Sequence, residues 1–326
     1  MNIKLFILAF VLGAGLTLLL GYICMPVLRK MKVGQTINSL GPDAHIAKQG
    51  TLTMGGIFFI PAALIGSLVC LRHTYSGHLY VYSIMCTLAF AFIGFADDYI
   101  KVLKRRSEGL TPRQKLVPQV LFAVIFAFWA YVNPEIGSGL YIPFTSVKLN
   151  LGILYVPVVA FVIVAVDNSA NLLDGLDGLC AGNSGAAFLM FAAACAISGG
   201  VHTNNALFAV SMCGAMIGFL RFNGHPARVF MGDTGSLGIG GALSALAITG
   251  GNVLILPLAL ITMLVTTGSD IVQVLYMKRH RGRKLLRMSP LHHHFELSGV
   301  PETRIVTGYN IAALLACALA LIGIIR

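Results

Sequence analysis

Apolar residues fall along this chain in blocks of about 20, the length a helix needs to cross a bilayer, and short polar clusters separate them. Ten blocks centre near 3–24, 52–71, 78–97, 116–132, 151–168, 184–199, 205–221, 234–250, 253–277 and 305–325. The pattern predicts an all-α polytopic integral membrane protein of ten transmembrane helices. It forms one domain over 1–326, since no polar stretch is long enough for a separate soluble unit. Turns such as "SGGVHTNN" and "TGGN" join some blocks tightly. The segment 133–150 is rich in Gly, Pro and Asn, and a small periplasmic hairpin is expected there. The first apolar run, Ile3 to about Ile23, is too long for a cleaved signal, and Arg29, Lys30 and Lys32 follow it.

Composition agrees with this picture. Hydrophobic residues make up 57% and charged residues only 11%, with a mean hydropathy of +0.83; soluble domains carry about 25% charged residues. The seven cysteines are scattered, mostly inside apolar runs, without a C-x-x-C pair, so packing is their expected role. Charge sets the orientation. Of 23 Lys and Arg, all but Lys4, Arg72, Lys148 and Arg326 fall in loops after odd-numbered blocks. The positive-inside rule then puts those loops in the cytoplasm and both termini outside. Anionic headgroups account for part of the net charge of +11, and nucleic acid is not called for.

Only twelve Asp and Glu occur, so their placement is informative. Asp97, Asp98, Asp174, Asp177 and Asp233 all fall at block ends on the predicted cytoplasmic side, where ionisable groups default to function. In "GFADDYIKV", two adjacent acids oppose the negative end of a helix dipole. Lys101 offers a local i+4 or i+3 ion pair, which explains one carboxylate better than two. In "NSANLLDGLDGLCAG", Asp174 and Asp177 share a face if the segment is helical, and the glycines equally allow a tight turn. Asn168 and Asn171 add to a dense polar cluster. In "GHPARVFMGDTGSLGIGG", Asp233 reads as a helix N-cap. A carboxylate at such an anion site makes most sense with a metal between it and phosphate, and oxygen-only ligands point to Mg²⁺. The run His292, His293, His294 cannot aim all three rings at one ion in regular structure, and the pattern is not a zinc motif. It is expected in a water-facing loop, contributing little packing, with imidazoles free to donate to substrate oxygens.

Taken together, "KQGTLTMGG", "GFADDYIKV", "EGLTPRQKLVPQ", "NLLDGLDGL", "FNGHPARVFMGDTGSLGIGG" and "MSPLHHHFELSG" resemble, in order and over nearly the whole chain, the phospho-N-acetylmuramoyl-pentapeptide transferases. These belong to the polyprenyl-phosphate N-acetylhexosamine-1-phosphate transferase superfamily. The acidic motifs are shared across the superfamily; the HHH-F-E run marks the muramoyl-pentapeptide branch. The resemblance implies a bacterial cytoplasmic-membrane enzyme, a homodimer with its active site facing the cytoplasm. It implies transfer of phospho-N-acetylmuramoyl-pentapeptide from UDP (the donor UDP-MurNAc-pentapeptide) to undecaprenyl phosphate with Mg²⁺, giving lipid I and UMP. By matched position, Asp97, Asp98, Asp233, Lys115, His292 and His293 resemble the catalytic set, with Asp233 as the metal ligand. Lys48, Thr53, Asn171, Asp174, Gly175, Leu176, Asp177, Asn223, Phe230, Gln273 and Ser289 resemble the substrate-binding set. Leu52 in place of a usual proline, Ser289 in place of a frequent alanine and the variant "GDTGSLGIGG" depart from the pattern without removing a charged group.

Two alternatives bear on this reading. A relative using UDP-N-acetylglucosamine would share the acids and lack the HHH-F-E loop. A transporter would place its acids near the bilayer midplane rather than at one face. A cysteine introduced at Ser107 is expected to react with an impermeant thiol reagent only from the cytoplasm, and one at Ser138 only from outside. Reversed labelling would overturn the topology and the side on which the acids gather.

Overall fold

The computed structural model describes residues 3–30, 50–71, 77–104 and 108–324. Apart from one hairpin it is helical. The helices are α1 (Ile3–Lys30), α2 (Gly56–Val69), α3 (His78–Lys104), α4 (Pro112–Val132), α5 (Tyr155–Leu173), α6 (Leu179–Ser198), α7 (Thr203–Asn223), α8 (Gly232–Thr249), α9 (Leu256–Ala259), α10 (Ile261–Arg279), α11 (Leu291–Leu297) and α12 (Glu302–Ile324). The expected hairpin forms between α4 and α5, where β1 (Gly139–Tyr141) pairs antiparallel with β2 (Lys148–Asn150), Leu140 opposite Leu149.

Every predicted block contains a helix, but ten crossings is more than length and apolarity support. Among the described residues seven helices are long and apolar enough to span, or eight if the segments Val253–Ala259 and Ile261–Arg279, bent by 80°, count as one. The two shortfalls have different causes. Helix α2 has only 14 residues and leaves Pro61, Ile65, Leu68 and Val69 exposed, so it falls short in length alone. Helix α8 is rich in Gly, Ala, Ser and Thr and is enclosed by protein rather than by lipid, so it needs no long apolar surface.

Helix α8 is the hub. All its residues from Thr234 to Thr249 are buried. The most apolar stretches of α6 and α7 are 72% and 78% buried inside the protein, whereas those of α1 and α4 at the rim are 17% and 22% buried. In lipid, helices associate through close packing of small residues and interhelical hydrogen bonds, because lipid tails are as apolar as leucine. Both devices join α3, α7 and α8. At one end Ser83 donates to Asn205 Oδ1 at 3.1 Å, and Asn205 donates to the Thr249 hydroxyl at 2.9 Å. At the other end Gly94 lies so close to α8 that a Cβ there would collide with the carbonyl of Asp233.

The chain entering α2 is tied to the chain entering α8 through the backbone. The Phe230 amide donates to the Leu52 carbonyl at 2.8 Å, and the Gly55 and Gly56 amides donate to the Phe230 and Met231 carbonyls, both at 2.9 Å. The N-terminus of α8 is therefore fixed from two sides, by α3 and by this strip. Gly94→Ala is expected to force α3 and α8 apart and to cost about 1–3 kcal/mol of stability through overpacking, read as a lowered unfolding temperature in detergent. An unchanged transition would show that the contact gives way freely.

Candidate active site

The last turns of α3 bring Asp97 and Asp98 under the first turn of α8, and both acids are buried. The first four amides of a helix have no internal acceptor. Asp98 supplies acceptors from another helix: Oδ1 takes the Asp233 amide at 3.1 Å, and Oδ2 takes the Thr234 amide at 2.9 Å and the Thr234 hydroxyl at 2.7 Å. The expected N-cap role of Asp233 is thus corrected. The cap position is Met231, which makes no side-chain bond, and Asp233 lies inside the first turn. Its side chain is left for other partners because Asp98 does the capping. A glycine is required just before it: Gly232 has φ +69°, and a Cβ there would meet Asp98 Oδ2 at 2.5 Å.

Asp233 gathers the cations. Its Oδ2 lies 2.7 Å from Lys115 Nζ and 3.1 Å from Lys101 Nζ. Its Oδ1 accepts from Asn171 Nδ2 at 2.9 Å, and Asn171 Oδ1 accepts from Lys115 at 3.1 Å. Lys101 also lies 2.5 Å from Asp97 Oδ2 and 3.7 Å from Asp98 Oδ1. The local ion pair expected from spacing therefore exists and reaches a third acid as well. The other oxygen of Asp97 accepts the Leu110 amide at 2.7 Å. One oxygen each from Asp97, Asp98 and Asp233 lie within 4.8 Å of one another. This all-oxygen donor set suits a hard divalent cation such as Mg²⁺.

The acidic motif after α5 is a turn, not a helix, so Asp174 and Asp177 do not share a helical face: α5 ends at Leu173 and α6 begins at Leu179. Gly178, at φ +77°, completes the turn and donates its amide to Asn223 Oδ1 at 3.1 Å. Asp177 takes partners outside the Asp233 group. Its Oδ2 accepts the Ala227 amide at 2.9 Å and meets His225 Nδ1 at 3.1 Å, while its own amide donates to Glu302 at 2.8 Å. The Asp174 carboxyl is pushed up to about 8, by removal from water first and then by the negative charges of Asp233, Asp98 and Asp177.

The histidines depart most from expectation. Residues 291–297 form a short helix rather than a loop, and His292 and His293 are buried. His292 packs against Gly175 so closely that a Cβ on the glycine would collide with its ring, and His293 Nε2 would lie 3.2 Å from that Cβ. The two rings meet edge to face at 4.3 Å, and His293 Nδ1 lies 3.1 Å from Glu296. His294 points elsewhere, as the geometry of a helix requires, and takes the Arg287 amide on Nδ1 at 3.1 Å. Burial follows from the turn: Gly175 leaves room for a ring that a water-facing loop would have left exposed.

Other predicted residues hold the walls. Gln273 is buried, with its amide bonded to the backbone of Leu285 and Leu286. Ser289 donates to Asp270 at 2.6 Å. Asn223 bridges Gly178 and the Val229 carbonyl. Thr53 and Phe230 lie in the paired strip beside α8, and Leu176 is buried in the turn. Lys48 lies outside the described residues. Sequence reasoning passed over Lys101 as a site residue, and did not single out Thr234, Ser236, His225, Asp270, Glu302 or the buried pair Asp167 and Gln119. A signal existed for Asp167, an acid inside a predicted span.

The glycosyl transferase family 4 model matches residues 80–251, which includes the three clustered acids, both lysines and the turn. A phospho-N-acetylmuramoyl-pentapeptide-transferase of Clostridioides difficile is 44% identical over 89% of this chain and 89% of that protein. Those of Desulfitobacterium hafniense and Heliobacterium modesticaldum are 43% identical over 97% of this chain and 96% of the relative, and 42% identical over 96% of each. Likeness at this level over almost the full length, together with the acidic cluster inside the matched region, shows that this chain belongs to the phospho-N-acetylmuramoyl-pentapeptide-transferase family.

Proposed function

We propose that this chain transfers phospho-N-acetylmuramoyl-pentapeptide from UDP to undecaprenyl phosphate, giving lipid I and UMP, with Mg²⁺ held by the acidic cluster. The observation that carries the reading is the cluster itself: three acids and two lysines converge on Asp233 where α3, α4, α5 and α8 meet. Phosphoryl transfer asks for positioning and charge neutralisation more than covalent chemistry from the protein. Asp233, with Asp97 and Asp98 beside it, would hold the Mg²⁺, which would supply charge neutralisation for the reacting phosphates.

The chain's own residues divide the remaining work. Asp233 is the ligand, because its side chain is released from capping. Asp98, with both oxygens engaged by the N-terminus of α8, orients Asp233 rather than reacting. Asp97 carries an oxygen paired with Lys101, and serves to position the acceptor phosphate or take its residual proton. The acceptor needs little help, since a phosphate monoester has a second pKa of about 6 and is largely dianionic near neutrality. Lys115 and Lys101 offset charge on the transferring and leaving phosphates. The Gly175 turn and the His292–His293 face form the donor pocket, with Thr53, Asn171, Asp174, Leu176, Asp177, Asn223, Phe230, Gln273 and Ser289 as its walls and Lys48 joining them by resemblance.

The membrane arrangement belongs to the same reading. Counting α2, α8 and the bent α9–α10 pair as crossings gives ten helices. Both termini then lie outside and the acids face the cytoplasm, because 19 of the 23 Lys and Arg lie in loops on that side. The homodimer is carried over from the family.

The direct test is incorporation of radiolabelled UDP-MurNAc-pentapeptide into lipid by the purified protein with undecaprenyl phosphate. Metal-dependent product is expected; no product with either substrate pair would sink the reading. Asp233→Ala is expected to abolish transfer and weaken Mg²⁺ binding, and near-normal turnover at ordinary Mg²⁺ would remove its assignment as ligand. His292→Ala is expected to cut turnover about ten- to a hundredfold, the scale of a lost bond to a charged group, and to lower the unfolding temperature because the ring is buried. His294→Ala should leave turnover close to that of the parent. Turnover close to that of the parent in both variants would show that the run serves only to pack this short helix.

A further inference from the structure

Asp167 is a carboxylate in the last two turns of α5 with no solvent exposure. Its Oδ2 accepts from Gln119 Nε2 at 2.6 Å. Gln119 Oε1 in turn accepts from Asn168 Nδ2 at 3.2 Å. Among the described residues no donor lies within hydrogen-bond distance of its second oxygen. On the far side, α8 approaches so closely that a Cβ on Gly240 would meet Asp167 itself. An ionisable side chain inside a membrane bundle is costly and is retained for a reason, and the cluster on Asp233 does not use this one directly.

The spacing shows what it does. On α4, Gln119 stands four residues after Lys115; on α5, Asp167 stands four residues before Asn171. Residues four apart lie one above the other on a helix. The two helices are therefore joined by two polar rungs in register. The upper rung is Lys115 Nζ on Asn171 Oδ1 at 3.1 Å, extended to Asp233 at 2.7 Å. The lower rung is Gln119 on Asp167. The other fully buried residues of α4, on the same face as Gln119, are Ala123, Ala127 and Ala130; its aromatic Phe126 and Trp129 pack on Tyr82 of α3 instead. An alanine stripe permits close approach but resists sliding and rotation poorly, so the lower rung sets where the upper one lies. A misplacement of about 1 Å far from the reacting atoms can cost about a hundredfold in rate.

We propose that Asp167 and Gln119 are positioning residues for the transfer reaction, a buried clamp that sets α4 against α5 so that the Lys115 ammonium rests on Asp233. The inference rests on the function proposed above. It identifies neither residue as touching substrate.

The test compares Asp167→Ala, Gln119→Ala and Asp167→Asn with the parent protein in nanodiscs, with unfolding temperature and monodispersity recorded for each. Rates are expressed per folded molecule. Asp167→Ala and Gln119→Ala are expected to lower kcat about ten- to a hundredfold and to change the KM for the UDP-linked donor less than threefold. Asp167→Asn, whose amide oxygen can still accept from Gln119, should recover activity to within about fivefold of the parent. In a Lys115→Ala background, Asp167→Ala should add less than a twofold loss, because the clamp acts through Lys115. The inference is overturned if Gln119→Ala keeps the parent kcat. It is equally overturned if Asp167→Asn is as inactive as Asp167→Ala, if kcat and KM deteriorate together, or if the loss repeats in full without Lys115. Should the parent itself transfer nothing, the functional reading fails; an active parent with unaffected variants removes only the clamp.

Discussion

The structure depends on one carboxylate that caps a helix other than its own. Asp98 lies within α3, which runs on to Lys104, and it is stabilised by the N-terminus of α8, where the dipole and the unpaired amides favour a negative charge. Three donors from Asp233 and Thr234 converge on it within 3.1 Å. The contact is possible only because α3 carries Gly94 and α8 begins with Gly232, so two backbones meet where side chains would keep them apart. Capping in trans has a chemical consequence. It frees the Asp233 carboxylate, which a self-capped helix would have turned back onto its own amides.

The rest of the site follows from that freed group. An uncompensated carboxylate in a bundle is costly, and Lys101 from α3, Lys115 from α4 and Asn171 from α5 all turn toward it. Helices α3, α4, α5 and α8 are thus tied at one end by charge, and at the other end α3 and α8 are joined through α7 by the neutral bonds of Ser83, Asn205 and Thr249. Under the proposed function this is preorganisation: the lysines and carboxylates are already placed by the fold, so little would need to move when a charged substrate arrives. The second wall is built differently. The turn after α5 uses Gly175 to admit the rings of His292 and His293, and Asp177, His225 and Glu302 knit that turn to α12 and to the chain ahead of α8.

Much of this was legible along the chain. Hydropathy summed over about 20 residues is a local property; it located the ten apolar blocks and the membrane class, and the Gly, Pro and Asn content of 133–150 marked the hairpin of β1 and β2. The side on which acids and bases gather is also local, and the motifs sufficed for the family. Crossing number was less accessible. Helix α8 is polar enough to fail as a span because protein surrounds it, and what surrounds a helix is not written in its own residues.

Partnership was decided by tertiary structure alone. Asp98 meets Thr234 across 136 positions, Asp233 meets Lys115 across 118, and Asp167 meets Gln119 across 48. The sequence grouped Asp98 with Asp233 and passed over Asp167, and it could not say which acid would cap a helix and which would gather the lysines, since a carboxylate takes its role from the donors that packing brings to it. The histidine run was misjudged for the same reason: three polar residues in a row predict water, yet one glycine 117 positions away from His292 opens the space that buries two of them. Residue type and spacing thus fixed the chemistry available to this protein, while the close approach of helices at a few glycines assigned each group its task.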